Sequence, residues 1–291
     1  MVAGRDPEPY VSGDDWLVHL PRLVEESLAE WDLTLDGDPM HGRCALVLPV
    51  RRRDGSPAVL KITWPHADAQ HEHLALQHWG GRGAVRLLAA NPGRWTMLLE
   101  RVNGSRDLYG VPIDEACQVI GDLLRQLDHP ALPQLSRLSS ECAQLVERLR
   151  SAPPAIPRRF VEQARSLVSD LVTDSDIDSR MVHTDLHYWN VLAAERQRWL
   201  AIDPKPLAAD PAYAVTPALW NRWDEATASG DLRRHLRHRL SIVCDGAGID
   251  DERARAWSIV REVQNGLWAV EDDDGDELTK AIAIIKAMQK D

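Results

Sequence analysis

The thirty residues from Met181 to Asp210 constrain this chain more than any other stretch. They read MVHTDLHYWNVLAAERQRWLAIDPKPLAAD. His183, Asp185 and Asn190 fall in a polar loop. Two short apolar runs follow, residues 190–193 and 199–202, on either side of the charged turn 195–198. That pattern predicts a small hairpin. Asp203 leaves the second run directly. A hairpin folds its ends together, so Asp185, Asn190 and Asp203 are expected to converge on one small volume. A base, an amide oxygen and a second carboxylate in one place suit a Mg²⁺-bound nucleotide and a hydroxyl nucleophile.

Composition sets the frame for that loop. The chain has 291 residues, 44% of them hydrophobic, enough for a substantial core and two lobes. Its formal charge of -11 argues against nucleic acid as the main partner. It is compatible with a cationic substrate, although a soluble acidic surface is the commoner explanation. Cys44, Cys117, Cys142 and Cys244 are too widely spaced for a zinc ribbon or a disulfide framework. The N-terminus lacks the apolar centre of a signal peptide, and no apolar run is long enough to span a membrane. A cytoplasmic protein without a membrane partner is expected, as a monomer or a homodimer. Before Lys280 the only lysines are Lys61 and Lys205, and arginine supplies the remaining positive charge. Lysines kept under that bias are candidates for sites that need a compact ammonium.

Taken in order, residues 1–13 read as a loose tail, and residues 16–31 carry helical periodicity in which Pro21 is expected to mark a break or the start of a helix. Residues 44–50 and 58–64 are strand-like, joined by an Asp54-Gly55 turn. Alternation puts Lys61 on the face opposite Leu60 and Ile62. A lysine in so apolar a strand either meets an anion or guards a sheet edge. Residues 67–79 suggest a helix that includes Glu72, and residues 85–90 and 95–100 suggest two more strands. From residue 111 onward the pattern is helical, with helices expected at 113–127, 135–150, 160–172, 216–229, 231–244, 250–270 and 276–289.

The run from His183 to Asp210 resembles the catalytic and metal loops of the aminoglycoside phosphotransferases. It is most similar to their streptomycin 6-kinase and hydroxyurea phosphotransferase-like branch. The resemblance implies an α+β, bilobal protein-kinase-like fold. Residues 1–100 would form a small antiparallel-sheet lobe with one helix, 101–104 a hinge, and 105–291 a helical lobe carrying the catalytic and metal loops and the acceptor site. It also implies an enzyme that moves the γ-phosphate of ATP or GTP, with Mg²⁺, to a hydroxyl of streptomycin or a related antibiotic. The alternative is another small-molecule acceptor, such as a nucleoside antibiotic, a hydroxyurea-like compound or a sugar metabolite.

Roles follow the same resemblance. Asp185 would orient the acceptor hydroxyl and take its proton, while Asn190 and Asp203 would hold Mg²⁺. Lys61 would neutralise the non-transferred phosphates, aimed by Glu72, and backbone groups of Glu100 and Val102 would meet the base. Gly42 stands where a phosphate-covering loop belongs, although no G-x-G-x-x-G is present. His183, His187, Lys205 and Asp210 are supporting candidates. Thr184 and Trp189 replace glycines common in the family and are read as shaping the acceptor pocket. Trp220, Asn221 and Trp223 are acceptor candidates, for which core packing is an equal explanation. Asn265, Trp268, Glu271 and Asp272 form a second candidate face for a guanidinium-bearing acceptor. Two other classes are weighed against the kinase. One is a zinc hydrolase built on His183, Asp185 and His187; the other is a kinase-like module that binds without turnover.

Overall fold

The computed structural model describes Val2 and residues 11–290. Residues 1 and 3–10 of the expected tail over 1–13 lie outside the described residues, and Gly13 already belongs to a helix. The chain forms two compact units, Met1–Gly104 with Ala193–Lys205, and Ser105–Leu192 with Pro206–Asp291. Ala193–Lys205 thus packs with the first unit.

The first unit opens on α1 (Gly13–Glu30), capped by the Ser12 side chain accepting from the Asp15 N–H. Pro21 sits inside α1 and does not break it, contrary to expectation. Its lost hydrogen bond is outweighed by the helix's apolar face, where Trp16 and Leu20 are buried. Burial of each such side chain contributes about 2 kcal/mol. Strands β1 (Thr34–Leu35), β2 (Met40–His41), β3 (Ala45–Arg51) and β4 (Pro57–Thr63) follow. Then come α2 (Glu72–Trp79), β5 (Leu87–Asn91) and β6 (Thr96–Glu100). The described residues of this unit hold a six-stranded antiparallel sheet ordered β1-β3-β4-β6-β5, with β2 beside β3.

Register decides which side chains face α1. Leu48 and Leu98 lie opposite Leu60, and Val50 lies opposite Ala58. These residues and Ile62 form one core cluster with Trp16 and Leu20. Lys61, between Val47 and Met97 in the ladder, alternates onto the other face. The helix expected over 67–79 is shorter, because a separate 3-10 turn occupies Ala67–Ala69 and Glu72 opens α2.

Strand β7 (Asn103–Asp107) carries the chain into the second unit. That unit contains α3 (Ile113–Leu127), β8 (His129–Pro130), α4 (Leu138–Leu149), α5 (Arg158–Leu171) and β9 (Arg180–His183). Strand β10 (Val191–Ala193) leads back to the first unit, where β11 (Trp199–Ala201) is held by Val85 N–H to Ala201 O (3.0 Å) and Ala201 N–H to Gly83 O (2.9 Å). Arg196, in the turn before β11, donates to both carboxylate oxygens of Glu100 (2.7 and 2.9 Å) and to the carbonyls of Gly81 and Ala84. These bonds fasten the returning segment.

The chain re-enters the second unit at β12 (Pro206–Ala209) and continues through α6 (Trp223–Ala228), α7 (Leu232–Ala247), α8 (Asp251–Glu271) and α9 (Gly275–Met288). The helix expected over 216–229 is instead a 3-10 segment, Pro211–Leu219, followed by the short α6. Arg222, in the left-handed region at φ 56°, stands between the two and interrupts a continuous α-helix. Strand β12 pairs antiparallel with β9, His183 opposite Pro206 and Arg180 opposite Ala209. Helices α3 and α7 cross at paired glycines. A Cβ on Gly121 would stand 2.6 Å from the Val243 carbonyl oxygen, and one on Gly246 would stand 3.1 Å from the Gly121 Cα.

Candidate active site

In the first unit, β4 and α2 bring a charged triad together. Lys61 is 6% exposed and Glu72 2%. The Lys61 ammonium donates to both Glu72 oxygens, at 2.7 and 2.8 Å, and pairs with the Asp203 carboxylate. Burial works against the charge on Lys61. The Asp203 and Glu72 carboxylates outweigh it and hold the ammonium above the ordinary lysine range. Asp203 stands at φ 53°, a left-handed conformation that aspartate tolerates better than most residues. Its side chain is 48% exposed, so one end of the triad meets solvent. Lys205 is near enough to Glu72 to favour its ionised form.

In the second unit, the loop after β9 is held from several sides. The Asp185 N–H donates to His183 Nδ1 (3.1 Å), and Asn190 Nδ2 donates to the Asp185 carbonyl (2.9 Å). Asn190 Nδ2 also meets His187 Nε2 at 3.4 Å. The Asn190 nitrogen is thus spent within the loop, and Oδ1 is its atom without a hydrogen-bond partner among the described residues. The chemistry of that oxygen, like that of the half-exposed Asp203 carboxylate, fits a hard divalent cation. His187 Nε2 lies 3.6 Å from Asp185 Oδ1. Buried Tyr188 anchors the loop, its hydroxyl donating to the Ala218 carbonyl (2.8 Å).

The family model described as aminoglycoside/hydroxyurea antibiotic resistance kinase matches residues 30–274. The chain belongs to this kinase family. Streptomycin 6-kinase of Streptomyces glaucescens is 41% identical over 95% of this chain and 92% of its own length. Hydroxyurea phosphotransferase of Kitasatospora aureofaciens is 38% identical over 90% of this chain and 77% of its own. Among solved structures, aminoglycoside phosphotransferase APH(4)-Ia matches with a TM-score of 0.59 at 15% identity, covering 93% of this chain and all 100% of that one. Choline kinase LicA from Streptococcus pneumoniae matches with a TM-score of 0.60 at 13% identity, covering 93% and 99%. The fold is the α+β protein-kinase-like one. The chain is an antibiotic-family phosphotransferase that acts on a hydroxyl group, and membership of a kinase family carries use of a nucleotide and a metal.

Within this kinase several expected residues have partners of their own. The Gly42 N–H donates to the Ala45 carbonyl (3.0 Å), and a Cβ at Gly42 would meet nothing within 4 Å. The Glu100 N–H donates to the Arg86 carbonyl (2.9 Å) and its side chain holds Arg196, so Glu100 offers a base no donor. Val102 is half-buried between β6 and β7. Asp210 was expected to hold the catalytic loop through backbone amides. It takes the Ala212 N–H (2.9 Å) and Trp257 Nε1–H (2.7 Å), and pairs with Arg253. The brace on the loop is Arg261 of α8, which donates to the carbonyls of Thr184 (2.9 Å) and Tyr213 (3.0 Å).

The acceptor candidates divide into three groups. Trp220 Nε1–H and Asn265 Nδ2–H both donate to Glu262 Oε1, at 2.6 and 3.0 Å. Asn221 and Trp223 are half-buried beside Trp220, and the Asn221 carbonyl accepts from Arg239. Trp268, 47% exposed, lies beneath the Arg148 guanidinium at 5.9 Å, and Glu271 pairs with that same arginine at 2.8 Å. Asp272 is exposed at the end of α8. Within the second candidate face, Asn265 turns to Glu262 while Trp268 and Glu271 turn to Arg148. Trp189 is 50% exposed and stacks on Tyr109. Sequence reasoning passed over Glu262, Arg261 and Tyr109. Glu262 and Arg261 lie in a regular helical pattern, and nothing in the sequence says which turn faces the loop.

The zinc reading finds no ligand set. Among the described residues no group of three or more His, Cys, Asp or Glu side chains is placed to hold a metal. The cysteines are free. No described helix is long and apolar enough to cross a membrane.

Proposed function

We propose that this kinase transfers the γ-phosphate of ATP or GTP to a hydroxyl of streptomycin or a closely related aminocyclitol antibiotic, conferring resistance. The observation that carries the reading is 41% identity to a streptomycin 6-kinase over 95% of the chain, and the charged triad Lys61–Glu72–Asp203 supports it. Phosphoryl transfer needs alignment, charge neutralisation and an acceptor for the hydroxyl proton. In this reading Asp185 orients the acceptor hydroxyl and takes its proton. His183 holds the Asp185 backbone, and Arg261 holds the Thr184 carbonyl beside it. Lys61 neutralises the non-transferred phosphates, with Glu72 fixing its direction. Asn190 Oδ1 and Asp203 supply oxygens for Mg²⁺. A metal ion held there would supply positive charge to offset the phosphate charge. The carbonyl of Glu100 and the backbone of Val102 serve the base. An acidic chain of formal charge -11 favours a cationic antibiotic over an anionic metabolite.

A second reading, phosphorylation of a hydroxyurea-like compound, is favoured by the 38% identity to a hydroxyurea phosphotransferase. A screen of ATP and GTP against streptomycin, other aminocyclitols and hydroxyurea, read by product mass, separates the two. Phosphorylated streptomycin is the expected product. Asp185→Ala is expected to lower turnover by about a thousandfold or more while leaving the circular dichroism spectrum unchanged. Undiminished turnover by that variant removes Asp185 from the chemistry.

A further inference from the structure

Tyr109 and Trp189 are 44% and 50% exposed, and they stack on one another with centroids 5.2 Å apart and planes 8° from parallel. Two large aromatic rings paired in the open present a contiguous apolar face that folding alone does not call for. The pair is held firmly. The Leu108 N–H donates to the Tyr188 carbonyl (3.1 Å), which ties together the two residues that immediately precede the rings. Tyr188 is itself buried and bonded to Ala218, and the Tyr109 N–H donates to Asp107 Oδ1 (2.9 Å). The Arg222 guanidinium lies 5.9 Å from the Tyr109 ring and 5.5 Å from the Tyr188 ring, fixed by the Val111 carbonyl and Glu225.

The pair also adjoins the reacting end of the unit. The His187 ring meets Trp189 at 87° with centroids 6.0 Å apart, and its Nε2 is 3.6 Å from Asp185 Oδ1. One imidazole thus separates the indole from the carboxylate. Arg222 already places a cation against Tyr109. A second cation on the stack is disfavoured, whereas the uncharged C–H face of a saturated ring is not.

We propose that Trp189, backed by Tyr109, is the platform on which the saturated ring of the acceptor lies while its hydroxyl reaches Asp185. Tyr109 is then a positioning residue, acting through the indole. The inference rests on the reading of the chain as an aminocyclitol kinase. It assigns the acceptor's C–H face to one indole and leaves its cationic groups to other residues.

Steady-state kinetics with streptomycin and ATP test it. Trp189→Ala is expected to raise the acceptor KM about tenfold or more, without a matching rise in the nucleotide KM. Trp189→Phe keeps a stacking ring and should stay within about threefold of wild type. Tyr109→Ala should give an intermediate rise, and Tyr109→Phe little change. Acceptor binding should also change the tryptophan fluorescence of the wild type, and Trp189→Phe should lose that change; this readout serves if Trp189→Ala does not fold. An unmoved acceptor KM in Trp189→Ala, equal losses for both substrates, or a fluorescence change that persists in Trp189→Phe overturns the platform. If the wild type phosphorylates no aminocyclitol, the functional reading itself fails, and the platform with it. Wild-type turnover with an unaffected Trp189→Ala overturns the platform alone.

Discussion

Glu262 shows how a single buried charge is tolerated beside the catalytic loop. It is 1% exposed and is met by neutral donors, Trp220 and Asn265. Burial pushes its carboxyl from the ordinary 4.5 up to about 7, against the lowering pull of the Trp220 hydrogen bond and the Arg261 charge. Below pH 4.5 the group is protonated in both folded and unfolded chains. As pH rises toward 7 the unfolded carboxyl ionises first, so folding loses stability; above 7 the loss is constant, at most about 3 kcal/mol. Glu262→Gln keeps an acceptor for both donors. Its stability advantage in urea unfolding should therefore grow between pH 4.5 and 7 and then level off. A pH-independent difference would mean that Glu262 is ionised throughout. None of this is visible in the sequence, where Glu262 is one glutamate on a mixed helix. Lys61 was legible because it interrupts an apolar strand, and Glu72 because the family resemblance asks for a helix glutamate after that lysine. Trp189 stood out by replacing a glycine, but its partner Tyr109 lies eighty residues earlier and carries no local mark.

Elements were legible where periodicity was strong and opaque where they were short. Helices α3, α5, α8 and α9 lie close to their expected ranges because each has a clear apolar stripe. Strands β9 and β12 were not anticipated. Each has only four residues, and β12, Pro206–Ala209, is buried at every position and so shows no alternation. Their pairing sets His183 opposite Pro206 and frames the loop between them. The Pro21 expectation failed for the opposite reason, since tertiary burial of α1 outweighed a local breaker. The crossing of α3 and α7 is an element-scale contact fixed by the smallest side chains. A methyl group at Gly121 would press on the Val243 carbonyl at 2.6 Å, and neither backbone has a rotamer with which to yield. Gly121→Ala is expected to cost about 1–3 kcal/mol, read as a lower urea midpoint, with the nucleotide KM of the folded enzyme little changed. Wild-type stability in that variant would show that the helices separate without penalty.

At the scale of the whole molecule, neither unit is one continuous piece of chain. The first is completed by Ala193–Lys205, which brings Asp203 to Lys61 and Arg196 to Glu100. A fragment of residues 1–104 would leave Lys61 and Glu72 without their third charge and the carbonyls of Gly81 and Ala84 without Arg196. It should therefore bind a hydrophobic dye and melt without a cooperative transition, while the full chain melts cooperatively. A sharp transition from the fragment would show that the returning segment is dispensable. The same interleaving reaches back to the birth of the protein. A ribosome adding about 5–20 residues per second needs roughly 5–20 seconds to travel from Gly104 to Lys205. Throughout that interval the emerging sheet waits, its guanidinium clasp still untranslated, and chaperones have their opening.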